Sequence, residues 1–281
     1  MRRASLSLAA VAAAAVLIAG CTPEPDAPHP PQPDPFVHVH AVAIAPQSDT
    51  ILVATHTGVY TVDEAGEATG PLGGHDFDAM GFATAGEAWF ASGHPGPSTP
   101  AALGSPNLGI IRSDDDGQTW HPVAFTGVED FHVLEAGRDG ILYGVGSTSA
   151  AVRTSSDLSV TWDDSGEVDA ADLAPAADGR LYAATPDGVY VRADSGASFV
   201  ALAGAPRLYL LDALPDSTLI GVDTDAVLWR SLANGQWESV ETVQGTVQAL
   251  TTTDAGAVIL IDDRGIVRID DTGTTIIRPA T

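Results

Sequence analysis

The stretches VHAVAIAPQSDTILVATHTGVYTV, residues 39–62, and VDAADLAPAADGRLYAATPDGVYVRADSG, residues 168–196, read as two copies of one unit. Each runs from an alternating apolar segment through an Asp-containing turn into a segment rich in Ile, Leu, Val and Tyr. Each then reaches the same Gly-Val-Tyr, at Gly58-Val59-Tyr60 and at Gly188-Val189-Tyr190. Further copies begin near Asp76, Val128, Arg207 and Gly245, so that six units of roughly 40 residues fill the chain from Phe36 onward. A short four-stranded sheet cannot bury both of its faces alone, and regular repetition at this period points to propeller blades packed around an axis. The expectation is all-β: a six-bladed β-propeller over 36–281.

Outward from the repeats, the N-terminus has another character. Arg2 and Arg3 precede a largely apolar run from Leu6 to Ile18, followed by Ile18-Ala19-Gly20-Cys21. This is the layout of an export signal over 1–20. The run of about 13 residues falls short of the roughly 20 needed to cross a bilayer as a helix. The stretch 21–35 contains TPEPDAPHPPQPDP, whose alternating prolines favour an extended spacer.

The chain has 12 basic residues, every one an arginine, against 37 acidic ones, for a net charge of -25. Removal of Arg2 and Arg3 with the signal would take this to -27 (-25 minus 2). Nucleic acid is therefore excluded as a partner by repulsion. With 44% hydrophobic residues and its acidic groups dispersed, the chain is a folded domain rather than an acidic tail.

A second signature is SDDDGQTW. Ser113, Asp115, Gly117, Thr119 and Trp120 fit the Asp-box pattern Ser-x-Asp-x-Gly-x-Thr-Trp, with a weaker echo from Ser155 through Asp157 to Thr161-Trp162. The aspartate can accept backbone N–H groups, glycine supplies positive φ, and tryptophan packs between blades. The box is a folding device.

Ile18-Ala19-Gly20-Cys21 resembles the lipobox of bacterial lipoproteins, which implies acylation of Cys21, the only cysteine. It also implies a lipid-anchored protein on the extracytoplasmic face of the cell membrane. SDDDGQTW and its echoes make the chain similar to the Asp-box (BNR-like) repeat propellers, which include sialidases, sortilin-type receptors and photosystem II assembly factors. HVHAVA, DAMGFATAG, FASGHPGP, NLGIIRSDDDGQTW and EDFHVL further resemble a group of actinobacterial lipoproteins labelled as sialidase-like glycosyl hydrolases.

Sialidases converge three arginines on a substrate carboxylate. Here Arg112, Arg153, Arg192, Arg230 and Arg268 share one repeat position on the third strand, away from the axis, so the arginine triad is not found and catalysis is left open.

Histidine is the more informative residue. His38, His40, His56, His75, His94, His121 and His132 all fall in the first three units. Aligned first strands put His40, Asp78, His132, Asp169, Tyr209 and Gln248 at one position ringing a tunnel mouth. His56 and His94, at second-strand ends, face the same mouth. Asp76, Asp78 and Asp130 can orient imidazoles or bind backbone. Met80, the one methionine outside the signal, either joins this group or packs between blades.

The expected metal donors are His38, His40, His56, His94, His132 and Met80, for copper first and zinc second. Asp78, Asp130, Asp169, Tyr209 and Gln248 complete a ligand-binding ring. An organic ligand or purely structural histidines are the competing readings. For the whole protein the alternatives are a sialidase-like hydrolase and a scaffold for an extracytoplasmic protein. The Pro- and Gly-rich loop from Gly93 to Leu108 is expected to form a lip over the same face.

Overall fold

The computed structural model describes residues 34–46 and 48–280. The expected signal, the acylated Cys21 and the spacer up to residue 33 lie outside the described residues. Asp34 and Pro35, placed with the spacer in the sequence, belong to the folded unit. Asp34 accepts a hydrogen bond from the Phe36 N–H at 3.1 Å and caps a short 3-10 turn, Pro35–Val37. Among the described residues, no helix is long and apolar enough to cross a membrane.

The chain from Asp34 onward is one compact unit of six four-stranded antiparallel sheets. Each sheet is a simple meander of four consecutive strands. The first strands are Val39–Ile44, Asp78–Ala85, Phe131–Ala136, Asp172–Pro175, Leu208–Ala213 and Ala249–Thr252. The chain is a six-bladed β-propeller. The second strands are the most apolar, as expected of sheets covered on both faces: Ile51–Thr55 and Val258–Asp262 are buried at every position.

Six apolar clusters hold the blades together, one per seam. Between blades 2 and 3, Phe90, Phe131, Leu134 and Leu142 form the centre. Because every blade keeps its own four strands, the ring closes without a shared sheet. Closure comes instead from packing of Val39, Val42, Ile51 and Val53 of blade 1 against Ala249, Ile259, Ile261 and Ile266 of blade 6. Gln248 Oε1 accepts from the Val39 N–H at 2.9 Å, and Arg278 donates to the Gly66 carbonyl at 2.8 Å while lying over the Phe36 ring.

The turn after the third strand of blade 2 is tied by its own side chains. Asp115 accepts from the Thr119 N–H at 2.8 Å and its hydroxyl at 2.6 Å, and Ser113 donates to Asp115 at 2.9 Å. The Trp120 indole donates to the Gly117 carbonyl at 3.1 Å. These bonds hold the Asp115 carboxyl below its usual range, the Thr119 contacts contributing most. Asp157 repeats the arrangement with Thr161 in blade 3.

Candidate metal centre

The first strands of blades 1, 2, 3 and 5 each carry an irregularity one residue long near their start. The unpaired residues are His40, Met80, His132 and Tyr209. A bulge of this kind re-aims one side chain out of the pleat. Counting the same register in blades 4 and 6 brings Ala171 and Gln248 to this tier.

The aligned ring therefore needs a correction. Asp78 and Asp169 lie two residues before the bulge position, in an outer tier with His38 and Asp130, and Met80 takes the place in blade 2 that alignment gave to Asp78. The bulge adds a residue without changing the apolar pattern, which is why the spacing concealed it. In the inner tier, Tyr209 and Gln248 act as braces between blades. The Tyr209 hydroxyl donates to the Val247 carbonyl at 3.2 Å and accepts from its N–H at 3.0 Å, while Gln248 holds Val39. Asp169 is exposed.

The two tiers converge at one place. His40 Nε2 lies 3.1 Å from Asp78 Oδ1, His56 Nδ1 lies 2.8 Å from the same oxygen, and the two nitrogens are 3.2 Å apart. The two imidazole nitrogens face this buried oxygen at short range, in contacts that depart from ideal hydrogen-bond geometry. Protons satisfy the triangle by placing both N–H groups on the one carboxylate oxygen. A cation above the triangle satisfies all three atoms as well. Tetrahedral ligands at about 2.0–2.1 Å stand about 3.3–3.4 Å apart, and an octahedral face has edges of about 2.9 Å; two sides of the triangle, 3.1 and 3.2 Å, fall between these values and the third, 2.8 Å, just below them. Burial alone would raise the Asp78 carboxyl, but the two imidazoles outweigh it and hold it below the usual range.

His40, His56 and Asp78 are the group of three among the described His, Cys, Asp and Glu residues whose ligand atoms come this close. His38 stands beside it, its ring edge-on to His56 at 5.1 Å. Met80 is half-buried on the bulge beside Asp78. His94 and His132 gather instead around Asp130, which is nearly fully buried: His132 Nε2 donates to Asp130 Oδ2 at 2.7 Å, and His94 Nε2 is 3.5 Å from the same oxygen. Burial raises the Asp130 carboxyl, and hydrogen bonds from Ser147 and His132 bring it below its usual range. His94 is the register partner of Asp78, so the two groups adjoin.

The loop from Gly93 to Leu108 is fastened to this face. Asp76 accepts from the Ser98 N–H at 2.9 Å and from the Thr99 hydroxyl at 3.2 Å, while Leu103 and Leu108 are buried. Asp76 thus binds loop backbone rather than an imidazole. His75 and His121 stand apart, near the Gln118 carbonyl and Asp114 respectively, with His121 opening a fourth strand rather than lying in a connection.

Gly93 is required by close approach. At φ +143° it faces the Asp78 backbone, and a Cβ there would lie 1.9 Å from the Asp78 carbonyl oxygen. Gly93→Ala is therefore expected to displace Asp78 and abolish the triangle's metal affinity, while Gly86→Ala, whose Cβ would meet open space, serves as a glycine control; titration with zinc checks this.

Sequence reasoning missed a second polar group on the first strands. Glu135 and Asp212, near the ends of their first strands, and Asp172, which opens its own, interact by a cavity of about 560 Å³ lined by Glu135, Asp212, Arg138, Thr252 and Asp254. Asp172 Oδ2 accepts from Leu211 N–H at 2.9 Å and Asp212 Oδ2 from Thr252 N–H at 2.7 Å, so each carboxyl reaches across to the next blade. Burial, only partly offset by the backbone donors and reinforced by Asp212, pushes Asp172 up to about 8; burial and the neighbouring carboxyls raise Glu135 as well. Both retain protons that the unfolded chain has shed. The stability that these two groups contribute is therefore full below pH about 4 and is lost as pH rises towards about 8. Asp172→Asn should flatten that fall, as read from melting temperature against pH; parallel curves would contradict it.

The arginines lie where expected, on third strands, and four of the five are occupied locally, while the buried Nε of Arg230 has no hydrogen-bond partner among the described residues. Arg112 pairs with Asp114 at 2.5 Å, Arg153 with Glu129, Arg192 with Ser165, and Arg268 with Asp270 at 2.9 Å.

No family model matches the chain, and no curated protein matches it. Solved structures do. YCF48 bound to D1 peptide superposes with a TM-score of 0.53 at 13% identity, over 82% of this chain and 77% of that one. A gluconolactonase from Xanthomonas campestris gives 0.59 at 14%, over 79% and 82%. An ancestral GH74 enzyme gives 0.54 at 13%, over 85% of this chain but 38% of its own. At such identities the likeness concerns the fold alone: this chain shares the propeller architecture of these proteins.

Proposed function

We propose that this protein is a metal-binding module held at the outer face of the cell membrane through acylated Cys21, with one divalent first-row metal at His40, His56 and Asp78. The carrying observation is the triangle of two ring nitrogens and a buried carboxylate oxygen at mutual distances of 2.8–3.2 Å. A nitrogen- and oxygen-only donor set suits zinc ahead of copper(I), which prefers sulfur. Met80, one residue beyond Ala79 on the bulge, is the thioether that would move preference towards copper. The arrangement of third-strand arginines gives a sialidase-like reading no support.

The test is metal analysis of the purified protein with zinc and copper titrations, beside a variant carrying His40→Ala and His56→Ala. Stoichiometric binding that the variant lacks supports the reading. Binding that survives both substitutions, or no binding by either protein, refutes it. Globomycin-sensitive labelling with a palmitate analogue, lost in Cys21→Ala, tests the anchor separately.

A further inference from the structure

The end of the tunnel away from the histidines holds a cavity with one polar group unaccounted for. The penultimate residues of the six first strands are Ala43, Thr84, Glu135, Ala174, Asp212 and Thr251. They form one tier, each a step inside the residue that pairs with the start of its second strand. Four of the six are alanine or threonine, too short to fill the axis, and the space they leave is the cavity of about 560 Å³, lined from all six blades. Its two acidic members differ in how they are held. Asp212 Oδ1 accepts from the Ala213 N–H at 2.6 Å and Oδ2 from the Thr252 N–H at 2.7 Å. Neighbouring Asp172 is likewise occupied at both oxygens, by the N–H groups of Leu173 and Leu211, each at 2.9 Å. Glu135 opens into the cavity with its carboxyl wholly inside the ring, and among the described residues no hydrogen-bond donor reaches it. An interior carboxyl without a partner is costly. Burial, Asp172 and Asp212 all push Glu135 above its ordinary range, so the missing partner is a donor that also carries positive charge. Arg138 does not supply it, being paired with Asp254.

We infer that this cavity binds a primary alkylammonium ion, with its N–H groups shared between Glu135 and Asp212 and its alkyl part against Ala43, Ala83 and Pro175. An ammonium brings three donors and a charge, which is what Glu135 lacks. The volume lies within the range of small-molecule sites, and the remaining wall is largely apolar, which suits a short hydrocarbon. A bare metal ion suits this end less well. His40, His56 and Asp78 are the described residues that bring three ligand atoms within 4.8 Å of one another, and Glu135, Asp172 and Asp212 are spaced more widely. An ammonium, reaching through its own hydrogens, bridges a longer gap than a coordinated ion does. The Arg138–Asp254 pair spans the mouth of the cavity. It joins the loop after the first strand of blade 3 to the corresponding loop of blade 6, on opposite sides of the ring. Asp254 is almost fully exposed, so the pair is weak and opens to admit the ligand.

The experiment is calorimetric titration of the purified protein with butylammonium chloride, beside butanol and butyrate, which match the alkyl part without the positive charge. One-to-one binding of butylammonium tighter than about 1 mM is expected, with the other two at least about 10-fold weaker. Glu135→Gln keeps the shape and removes the charge, and should lose about 30-fold or more in affinity. Ala43→Leu keeps every charge and fills the cavity, and should lose binding as well; thermal melts establish that each variant is folded. The variant carrying His40→Ala and His56→Ala should bind the amine as wild type does, since those residues stand at the other end of the tunnel. Failure of wild type to bind butylammonium, equal binding of butanol, or unchanged affinity in folded Glu135→Gln would overturn the inference. Should Glu135→Gln not fold, unchanged affinity in Ala43→Leu overturns it instead. Loss of amine binding in the His40 and His56 variant would place the amine at the histidine mouth and overturn it too.

Discussion

Replacing His56 by alanine should weaken zinc binding on the order of 1,000-fold, about 4 kcal/mol. His56 is the most exposed member of the triangle, with 47% of its side chain accessible, so its removal leaves the apolar seams untouched. His56 supplies one of three donors, and its ring also packs edge-on against both His38 and His40. The loss should therefore appear in affinity and not in melting temperature of the metal-free protein. His121→Ala, remote from the triangle, provides the control and should bind zinc as wild type. Calorimetry reads both, and equal affinities for His56→Ala and wild type would remove His56 from the site.

The second large effect concerns the ring itself. Phe131 is fully buried at the seam of blades 2 and 3, with Phe125 at 5.1 Å and Trp162 at 5.9 Å between ring centroids. Its backbone N–H is held by the Ser92 hydroxyl at 2.8 Å, which fixes one blade against the next. Phe131→Ala should cost about 3–5 kcal/mol through lost transfer energy and the cavity left behind. That is a large part of the ~5–15 kcal/mol by which domains are stable. Exposed Val200→Ala should change stability by no more than about 0.5 kcal/mol. Urea unfolding followed by tryptophan fluorescence measures both. Equal midpoints would mean that the seams do not hold the ring.

The repeats were legible because Gly-Val-Tyr recurs at the turn into the third strand in blades 1 and 4, and apolar runs mark the second strands. The concentration of histidine in three consecutive units located the mouth, and His40 and His56 do meet there. What the sequence concealed was register. One unpaired residue at His40, Met80, His132 and Tyr209 moves the neighbouring side chains by a tier without altering composition, so Asp78 was aligned with His40 when it sits two residues earlier. Ring closure is not legible in the sequence for a related reason: apolar packing of Val39 and Val42 against Ala249 and Ile259 leaves no strand swap to read. Glu135, Asp172 and Asp212 escaped notice because a lone carboxylate in a strand looks like a solvated one until the neighbouring blade covers it.

The most direct test of the metal site is anomalous diffraction at the zinc edge from crystals grown with one equivalent of zinc. The account predicts a single strong peak about 2.0–2.2 Å from His40 Nε2, His56 Nδ1 and Asp78 Oδ1. A peak elsewhere, or none at this triangle with zinc present in stoichiometric amount, would contradict it.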